Sequence, residues 1–330
     1  MNSFGRILRI SIFGESHGEC VGITIDGCPA GLSLTAEDLL PDLERRKGGK
    51  QKGTTPRQEE DLPIFKSVLF NGKTTGFPIT ILFENKNTRS EDYNKQRSIP
   101  RPGHADWVAH QKFGGNEDYR GGGHFSARLT TGIVAAGAIA KKLLNGISIQ
   151  AAVIEIGGEK DLEKGLQKAI DAKDSVGGII ECRANGLPVG LGEPYFDSIE
   201  SVLSHILFAI PAVKGVEFGA GFAAAKMFGS QHNDAIENMD GKTRTNHAGG
   251  IVGGISNGNE LVFRLAVKPT SSTPKEQNSL NWDTGKTEDF SIKGRHDLCV
   301  ALRAPVIVEA VTALVLADFM LWEQKIKRIV

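Results

Sequence analysis

The chain lacks the features that mark several large classes of protein. Its 330 residues carry no net charge, with 39 Lys and Arg against 39 Asp and Glu. This balance argues against a general nucleic-acid or membrane-surface protein. None of its four cysteines forms a Cys-x-x-Cys pair, so neither a zinc ribbon nor a redox motif is indicated and a reduced, cytoplasmic protein is expected. No signal-peptide-like apolar region occurs near the N-terminus, and no Rossmann fingerprint or Walker A motif occurs in a suitable context.

Long apolar runs are also scarce. The longest lies around residues 310–322 and is interrupted by Asp318. It predicts a buried core helix rather than a membrane span. Aromatic residues make up only 7 % of the chain, whereas glycine is abundant, with 40 residues. Such a composition indicates many tight turns and close backbone approaches.

The most informative glycines are Gly121, Gly122 and Gly123. Apolar or small residues follow them at a helical period as far as Leu144, so the turn is predicted to feed a helix N-terminus. Such a turn can present backbone N–H groups to an anion, and four polar side chains lie beside it: Arg120, His124, Ser126 and Arg128. A phosphate or cofactor site is therefore predicted here, with a flexible turn ahead of a core helix as the alternative.

Hydrophobic periodicity and capping residues predict a mixed α+β fold. Helices are expected over about 36–46, 129–145, 161–172, 198–210 and 305–327. Strands are expected over 7–13, 21–26, 68–70, 79–83, 149–156, 178–183 and 261–267. The order of glycine turn, histidine, arginine and long apolar helix occurs twice, over 121–144 and again over 294–320. This similarity suggests a weak internal duplication, with a chance match between two buried helices as the alternative.

Positive charge is concentrated in one short segment. Six cations occur between residues 45 and 57 with no acidic residue among them: Arg45, Arg46, Lys47, Lys50, Lys52 and Arg57. Interspersed glycines predict a mobile basic loop that closes over a polyanionic substrate. An ordinary solvated charge run is the alternative.

Four histidines lie in turns beside charged residues or glycines: His17, His104, His124 and His296. Such neighbours can tune a histidine for proton transfer near neutral pH. The segment 268–272, Lys-Pro-Thr-Ser-Ser, offers a cation and three hydroxyl groups at a strand end, which suits a phosphate or the edge of an isoalloxazine ring. An ordinary loop is the alternative for this segment.

Six segments, taken together and in this order, resemble the chorismate synthase family. They are Gly14–Gly18, Arg101–Asp106, Asp118–Arg128, 246–256, Lys268–Ser272 and 294–304. The resemblance runs from the first predicted strand to the last predicted helix. Two departures are visible: His124 follows the three glycines where family members often have arginine, and the segment 273–292 is short.

The resemblance implies a fold and an activity. The family fold is a β-α-β sandwich with long helices packed between antiparallel sheets, here as a single domain over residues 1–330 with pseudo-repeats over roughly 1–150 and 190–330. The implied reaction is the elimination of phosphate and a C6 hydrogen from 5-enolpyruvylshikimate 3-phosphate to give chorismate. Reduced FMN is the implied cofactor. A homotetramer is implied, and NADPH or an external flavin reductase would supply electrons.

The resemblance also assigns roles to residues. His104 would act as the acid on the departing phosphate, His17 would donate a proton to the flavin, and Asp297 would help to set the protonation of flavin N5. Flavin contacts would come from His124, Phe125, Ser126, Ala212, Gly253, Lys268, Thr270, Ser271, Ser272 and Arg295. Substrate or nicotinamide-nucleotide contacts would come from Arg45, Arg46, Lys52, Arg57 and Arg128.

Two alternatives to this activity remain open from the sequence. A metal-dependent phosphohydrolase could use His17, His104, Asp106 and His124. A non-enzymatic anion- or RNA-binding protein could use the basic segment 45–57 and the glycine turn, although the zero net charge argues against it.

Overall fold

The computed structural model describes residues 2–49, 52–57, 59–67, 69–88, 97–292 and 296–326. Seven α-helices occur in this part of the chain: α1 Leu40–Arg46, α2 Asp106–Phe113, α3 Thr130–Leu143, α4 Leu162–Ala172, α5 Ile199–Leu207, α6 Gly229–His232 and α7 Pro305–Trp322. The strands are β1 Ser3–Phe4, β2 Arg9–Gly14, β3 Cys20–Asp26, β4 Ile64–Phe65, β5 Leu69–Phe70, β6 Lys73–Thr74, β7 Ile79–Glu84, β8 Ser148–Ile156, β9 Gly178–Asn185, β10 Val213–Phe218, β11 Ile251–Val252, β12 Ile255–Ser256, β13 Leu261–Val267, β14 Gln277–Asn281 and β15 Lys286–Phe290. The fold is α+β.

The first sheet has five strands in the order β1-β2-β3-β7-β4, and every pairing is antiparallel. Alternate residues of β3 and β7 are β-branched or aromatic and point to one face, as a strand period of two requires. The register pairs Val21 with Phe83 and Ile23 with Ile81, and all four side chains are fully buried. Helix α3 packs on β3 and β7.

The second sheet has four antiparallel strands in the order β10-β13-β9-β8. Its register pairs Ile180 with Leu265 and Cys182 with Phe263, and these side chains are buried. Helix α7 packs on β8 and β9 of this sheet. The apolar faces of the two sheets are therefore each covered by one long helix.

The two long helices pack against each other at a very close approach. A Cβ atom built on Gly137 of α3 would lie 2.3 Å from the Cβ of Ala310 in α7, so only glycine fits at this crossing. Helix α7 is long and apolar enough by composition to cross a bilayer, but 78 % of it is buried inside the protein. The prediction of a buried core helix over this segment is confirmed.

The predicted elements are found with shifted ends. The acidic residue of the suspected capping box does bind the chain, since Asp38 Oδ2 accepts from Thr35 N–H at 2.8 Å. However, α1 begins only at Leu40, which places Pro41 in the first helical turn, where proline is tolerated. Residue 68, part of one predicted strand, lies outside the described residues.

Several elements were not predicted from the sequence. They are the helices α2 and α6, the strands β1, β4, β6, β10, β11 and β12, and the hairpin β14–β15, together with short 3₁₀ turns. The first of those turns, Arg120–Phe125, contains the three glycines, and the second, Ala127–Leu129, leads into α3. The helix predicted over 129–145 is found as α3, Thr130–Leu143, while the positive φ angles of Gly121–Gly123 keep the glycines themselves out of helical geometry.

Candidate active site

Both central helices begin at one cavity of about 730 Å³, which we call the main cavity. Residues 126–130, leading into α3, line it from one side, and Asp297, Val300 and Arg303, leading into α7, line it from the other. Helix N-termini carry partial positive charge and attract anions. The main cavity therefore lies where the fold itself favours a negatively charged ligand.

The main cavity gathers many of the residues singled out in the sequence. Those lining it are His104, Asp297, His124, Phe125, Ser126, Ala212, Lys268, Thr270, Ser271, Ser272, Arg46, Arg57 and Arg128. They come from segments far apart in the chain and include candidates for both the flavin and the substrate.

The described wall of the main cavity is strongly positive although the whole chain is neutral. Eight Lys and Arg side chains line it, against three carboxylates, Glu59, Asp61 and Asp297. Arg57 pairs with Glu59 at 2.8 Å and also donates to Ser16 Oγ at 3.3 Å. Because cations outnumber carboxylates, a polyanionic ligand would balance the remaining charge.

Three arginines form the deepest part of this positive wall. Arg46 and Arg128 are both buried and share Asp61 as their partner carboxylate. Arg303 binds Asp297 with an Nη1–Oδ2 distance of 2.9 Å, and its Nε donates to the carbonyl of Arg46 at 3.0 Å. Burial, followed by repulsion from Arg303 and Arg128, lowers the pKa of Arg46 to about 9, despite the attraction of Asp61. A bound anion would relieve this repulsion.

Asp297 is fixed by two kinds of donor. Its Oδ1 accepts from the backbone N–H of Thr55 at 2.8 Å, and Arg303 holds the other oxygen. The basic segment is thus joined to the start of α7. This part of the segment is tied to the structure rather than suspended in solvent.

The three glycines separate two histidines. A Cβ atom on Gly121 would lie 2.4 Å from His17 Cδ2, and a Cβ atom on Gly122 would lie 3.3 Å from His104 Nε2. Any side chain at position 121 would displace His17, so the turn must be glycine for steric reasons as well as for its φ of 59°. Gly121 and Gly122 therefore make room for the imidazole rings of His17 and His104, and anion binding by this turn stays a prediction.

His17 lies in the turn between β2 and β3, directly behind Gly121, and is 8 % exposed. It does not itself line the main cavity, although Gly121 does. Burial lowers the pKa of His17, and the nearby positive charge of Arg57 lowers it further. A neutral imidazole is therefore favoured at this position.

His104 belongs to a compact group with Arg101 and Asp106. The Nδ1 atom of His104 lies 2.5 Å from Asp106 Oδ1, and Arg101 binds the same carboxylate through Nε at 2.7 Å and Nη2 at 2.8 Å. Burial alone would raise the pKa of Asp106, but hydrogen bonds from Arg101 and His104 hold it well below its usual range. The side chain of Asp106 is therefore ionised at neutral pH.

The segment Lys268–Ser272 closes the main cavity next to this group. Ser271 Oγ donates to the carbonyl of Gly103 at 2.8 Å, and Lys268 Nζ contacts both of these residues. Burial, followed by repulsion from Lys214, lowers the pKa of Lys268. The Oγ1 of Thr270 is buried and has no hydrogen-bond partner among the described residues. A buried hydroxyl of this kind is suited to a ligand that supplies the missing partner.

His124 binds the chain on both sides of its ring. Its Nδ1 lies 2.9 Å from the carbonyl of Gly14 and its Nε2 lies 3.1 Å from Asn2 Oδ1. The ring therefore links the glycine turn to β2 and to the N-terminal segment while still lining the main cavity.

Besides His17, three described candidate residues lie outside the main cavity. Arg45 binds the buried Glu309 through two hydrogen bonds of 2.7 Å, Lys52 binds Gln167 at 3.1 Å, and Gly253 is in the turn between β11 and β12. The basic segment is therefore not one free loop, because its members have separate partners. Arg295 lies outside the described residues.

Comparison with known proteins decides the family. A sequence model of the family described as "Chorismate synthase" matches residues 8–321. The chain belongs to the chorismate synthase family. A chorismate synthase of Chitinophaga pinensis is 68 % identical over 330 residues, covering 100 % of this chain and 99 % of the relative. A chorismate synthase of Dehalococcoides mccartyi is 45 % identical over 360 residues, covering 100 % and 99 % respectively. A solved structure titled "Crystal Structure of Chorismate Synthase" has a TM-score of 0.74 and 28 % identity, covering 97 % of this chain and 93 % of that one.

Membership in the chorismate synthase family makes the protein a lyase of the shikimate pathway, which serves aromatic amino acid biosynthesis. The metal-dependent phosphohydrolase considered above is not supported. Among the residues that the structure describes, no group of three or more His, Cys, Asp or Glu side chains is arranged to hold a metal ion.

Three charged residues that line the main cavity were not among the site residues predicted from the sequence: Arg101, Asp61 and Arg303. Arg101 was visible within a recognised segment, and its spacing to Asp106 was a usable signal. Arg303 likewise lay within a recognised segment, 294–304, whereas Asp61 gave no such signal. Their importance comes from pairing with Arg46, Arg128 and Asp297, which are distant in the chain.

Proposed function

We propose that this chain converts 5-enolpyruvylshikimate 3-phosphate to chorismate by eliminating phosphate and a C6 hydrogen, with reduced FMN bound in the main cavity. One observation carries the proposal. His104, Asp297 and the buried arginines line a single positively charged cavity, and His17 lies directly behind its wall at Gly121. The substrate carries two carboxylates and a phosphate, and FMN carries a second phosphate, so the ligands match the excess of cations.

The described residues fit a flavin. The main cavity, at about 730 Å³, lies within the range typical of cofactor and ligand sites. The buried Thr270 hydroxyl has no hydrogen-bond partner within the described part of the chain. Ala212 has a φ of 75°, a strained conformation of the kind that concentrates at binding sites. We assign cofactor binding to these two residues with Lys268, Ser271, Ser272 and the segment His124–Ser126. Gly253 and Arg295 remain predictions. When bound, reduced FMN supplies transient electron density and an acceptor for the hydrogen.

The substrate is held by cations of the cavity wall. Arg46, Arg57 and Arg128 are assigned to its phosphate and carboxylates, together with Arg303. Arg128 also donates to Asn85 and to the carbonyl of Glu84, so it supplies charge from a fixed position. Arg45 and Lys52, which pair with Glu309 and Gln167, are not assigned to substrate in this arrangement.

The proton-handling groups have distinct surroundings. His104 donates its Nε2 proton to the oxygen of the departing phosphate, because its Nδ1 atom faces Asp106. His17 is buried and favours the neutral form, so a proton it receives is readily passed on to the flavin ring. Asp297, held by Arg303 and Thr55, is assigned to setting the protonation of flavin N5.

Architecture and assembly complete the proposal. We propose that the contacts of α3 with the first sheet and of α7 with the second form a β-α-β sandwich in a single domain. A segment that bears histidine and arginine precedes each of the two long helices, α3 and α7, and this arrangement supports an internal duplication. A cytoplasmic homotetramer that receives reducing equivalents from NADPH through an external flavin reductase is also proposed.

An anaerobic assay tests the reaction. Purified protein is mixed with 5-enolpyruvylshikimate 3-phosphate and photoreduced FMN, and chorismate and phosphate are measured together. Equal release of both, abolished with oxidised FMN, is the expected result. His104→Ala is expected to lower kcat by about 100- to 10,000-fold, the usual contribution of a general acid. Phosphate without chorismate would instead indicate hydrolysis and would overturn the proposal.

A further inference from the structure

Asp106 is surrounded by donors to an unusual extent. Its Oδ2 accepts from the backbone N–H of Arg101 at 3.0 Å and from Arg101 Nε at 2.7 Å. Its Oδ1 accepts from Arg101 Nη2 at 2.8 Å and faces His104 Nδ1 at 2.5 Å. Asp106 is also the first residue of α2, where the helix N-terminus favours a negative charge. The carboxylate is therefore fixed in both position and charge.

A fixed carboxylate dictates the tautomer of His104. An ionised carboxylate can only accept hydrogen bonds, so the 2.5 Å contact requires a proton on His104 Nδ1. The second ring nitrogen, Nε2, then points away from Asp106 towards Gly122, where a Cβ atom would lie 3.3 Å from it. Arg101 Nη2 also lies 3.0 Å from His104 Nδ1, but it donates to Asp106 Oδ1 at the shorter distance of 2.8 Å. The contact of 2.5 Å with the carboxylate is shorter than either, so it decides the proton on Nδ1.

The carboxylate itself is held by a residue of the cavity wall. Arg101 is 6 % exposed, lines the main cavity, and its Nη1 donates to Ser272 Oγ at 3.3 Å. Its two parallel hydrogen bonds to Asp106 prevent rotation of the carboxylate. The orientation of the His104 ring is thus built into the turn between Arg101 and α2.

We propose that Asp106 is the positioning residue for proton delivery by His104, an inference that rests on the acid role of His104 proposed above. The protonated ring loses its Nε2 proton to the oxygen of the departing phosphate, and the electrons of the broken carbon–oxygen bond leave with that oxygen. The ring remains neutral with its proton on Nδ1, hydrogen-bonded to Asp106. The proton transfer itself needs no reactant besides those of the proposed function. Asp106 does not become protonated and does not contact the substrate.

The chain offers a matched control. His110, also in α2, pairs with Glu117 at an Nδ1–Oε1 distance of 3.2 Å. Both residues line a smaller neighbouring cavity of about 210 Å³, and neither lines the main cavity. Glu117 follows α2 and lines this small cavity together with His104 and Asp106, but it pairs with His110. Glu117→Gln therefore breaks a neighbouring histidine–carboxylate pair and leaves the His104–Asp106 pair in place.

The first test uses kinetics of the full-length, FMN-loaded protein. Asp106→Asn is expected to lower kcat by about 100- to 10,000-fold and to change KM by less than about 3-fold, since the lost interaction acts on the transition state. In the His104→Ala protein, the further substitution Asp106→Asn should lower kcat by no more than about 2-fold, because Asp106 acts through His104. Glu117→Gln should retain wild-type kcat. A wild-type kcat for Asp106→Asn would overturn the proposal. So would an Asp106→Asn substitution that lowers kcat by the same factor in the His104→Ala protein as in the wild type.

The second test depends neither on activity nor on a variant of Asp106. Nitrogen-15 NMR of histidine-labelled wild-type protein, with His104 assigned by comparison with His104→Gln, reports which ring nitrogen carries the proton. A proton on Nδ1 is expected, and a neutral ring protonated on Nε2 would contradict the inference. If the wild-type protein makes no chorismate, the proposed function fails while this measurement still decides the orientation. If it makes chorismate and Asp106→Asn is fully active, only the inference fails.

Discussion

At the residue scale, Gly121 sets the position of a histidine through both backbone conformation and available space. Its φ is 59°, and an added Cβ atom would lie 2.4 Å from His17 Cδ2. We expect Gly121→Ala to displace the imidazole and to lower kcat/KM by about 100-fold, the effect of a misplacement near 1 Å. Urea unfolding and the anaerobic assay measure the two consequences.

Gly146→Ala is the matched control for this substitution. Gly146 also has a positive φ, 83°, but its Cβ atom would meet nothing within 4 Å. Both variants should lose about 1–2 kcal/mol of stability from the left-handed conformation, whereas only Gly121→Ala should lose activity. Equal activity in the two variants would show that the space beside His17 is not needed.

His17 also predicts a pH dependence of stability. Its pKa is lowered from the ordinary value of 6.5, first by burial and then by Arg57. At a pH between the folded and unfolded pKa values of His17, the unfolded chain binds more protons than the folded chain. The contribution of His17 to the free energy of unfolding is therefore complete above pH 6.5 and is lost as the pH falls towards the folded pKa. Urea unfolding from pH 7.5 downwards should show a smaller loss for His17→Gln than for the wild type. Parallel curves for the two proteins would contradict this prediction.

At the element scale, Asp318 fastens the N-terminal segment to the last helix. This buried carboxylate of α7 accepts from the backbone N–H groups of Arg6, Ile7 and Leu8 at 2.8, 2.7 and 2.8 Å. The residue that interrupts the longest apolar run is thus an anchor for the chain entering β2. Its removal leaves three backbone donors without an acceptor.

We expect Asp318→Ala to lower the free energy of unfolding by at least about 3 kcal/mol, as for other buried charged groups that lose their hydrogen bonds. Hydrogen exchange at residues 6–8 should accelerate in the same variant. The exposed Asp171 of α4 is the control, and its replacement by alanine should cost less than about 0.5 kcal/mol. Similar unfolding midpoints for the two variants would refute the anchoring role.

At the scale of the whole molecule, the distribution of charge matters more for binding an anionic ligand than the net charge does. The chain is neutral, but the described wall of the main cavity has eight cations against three carboxylates. The KM for the phosphorylated substrate should therefore rise as NaCl is increased from about 50 to 300 mM, because salt screens charges that are open to solvent. Steady-state kinetics at several salt concentrations measure this dependence.

Two lysine variants locate the source of the salt effect. Lys214 lines the main cavity, whereas Lys142 pairs with Asp38 elsewhere at 2.6 Å. Lys214→Ala should weaken the dependence of KM on salt, and Lys142→Ala should leave it unchanged. An equal effect of both would show that the field of the whole surface, rather than the cavity, governs substrate binding.

Local patterns in the sequence determined the element types and the family. The helical period after Gly123 and the alternation in β3 and β7 follow from side-chain direction along each element, so they are readable without a structure. The six recognised segments identified the family, because each keeps its local order of residues. The ends of the elements were less certain, as the start of α1 shows.

Only the tertiary structure decided which of these residues meet. The sequence treated Arg45, Arg46, Lys52 and Arg57 as one basic loop, but folding gives each a different partner, and only Arg46 and Arg57 line the main cavity. The steric role of Gly121 and the pairing of Arg303 with Asp297 likewise depend on segments brought together by the packing of α3, α7 and the sheets. Contacts between distant segments follow from packing, which local residue order does not encode.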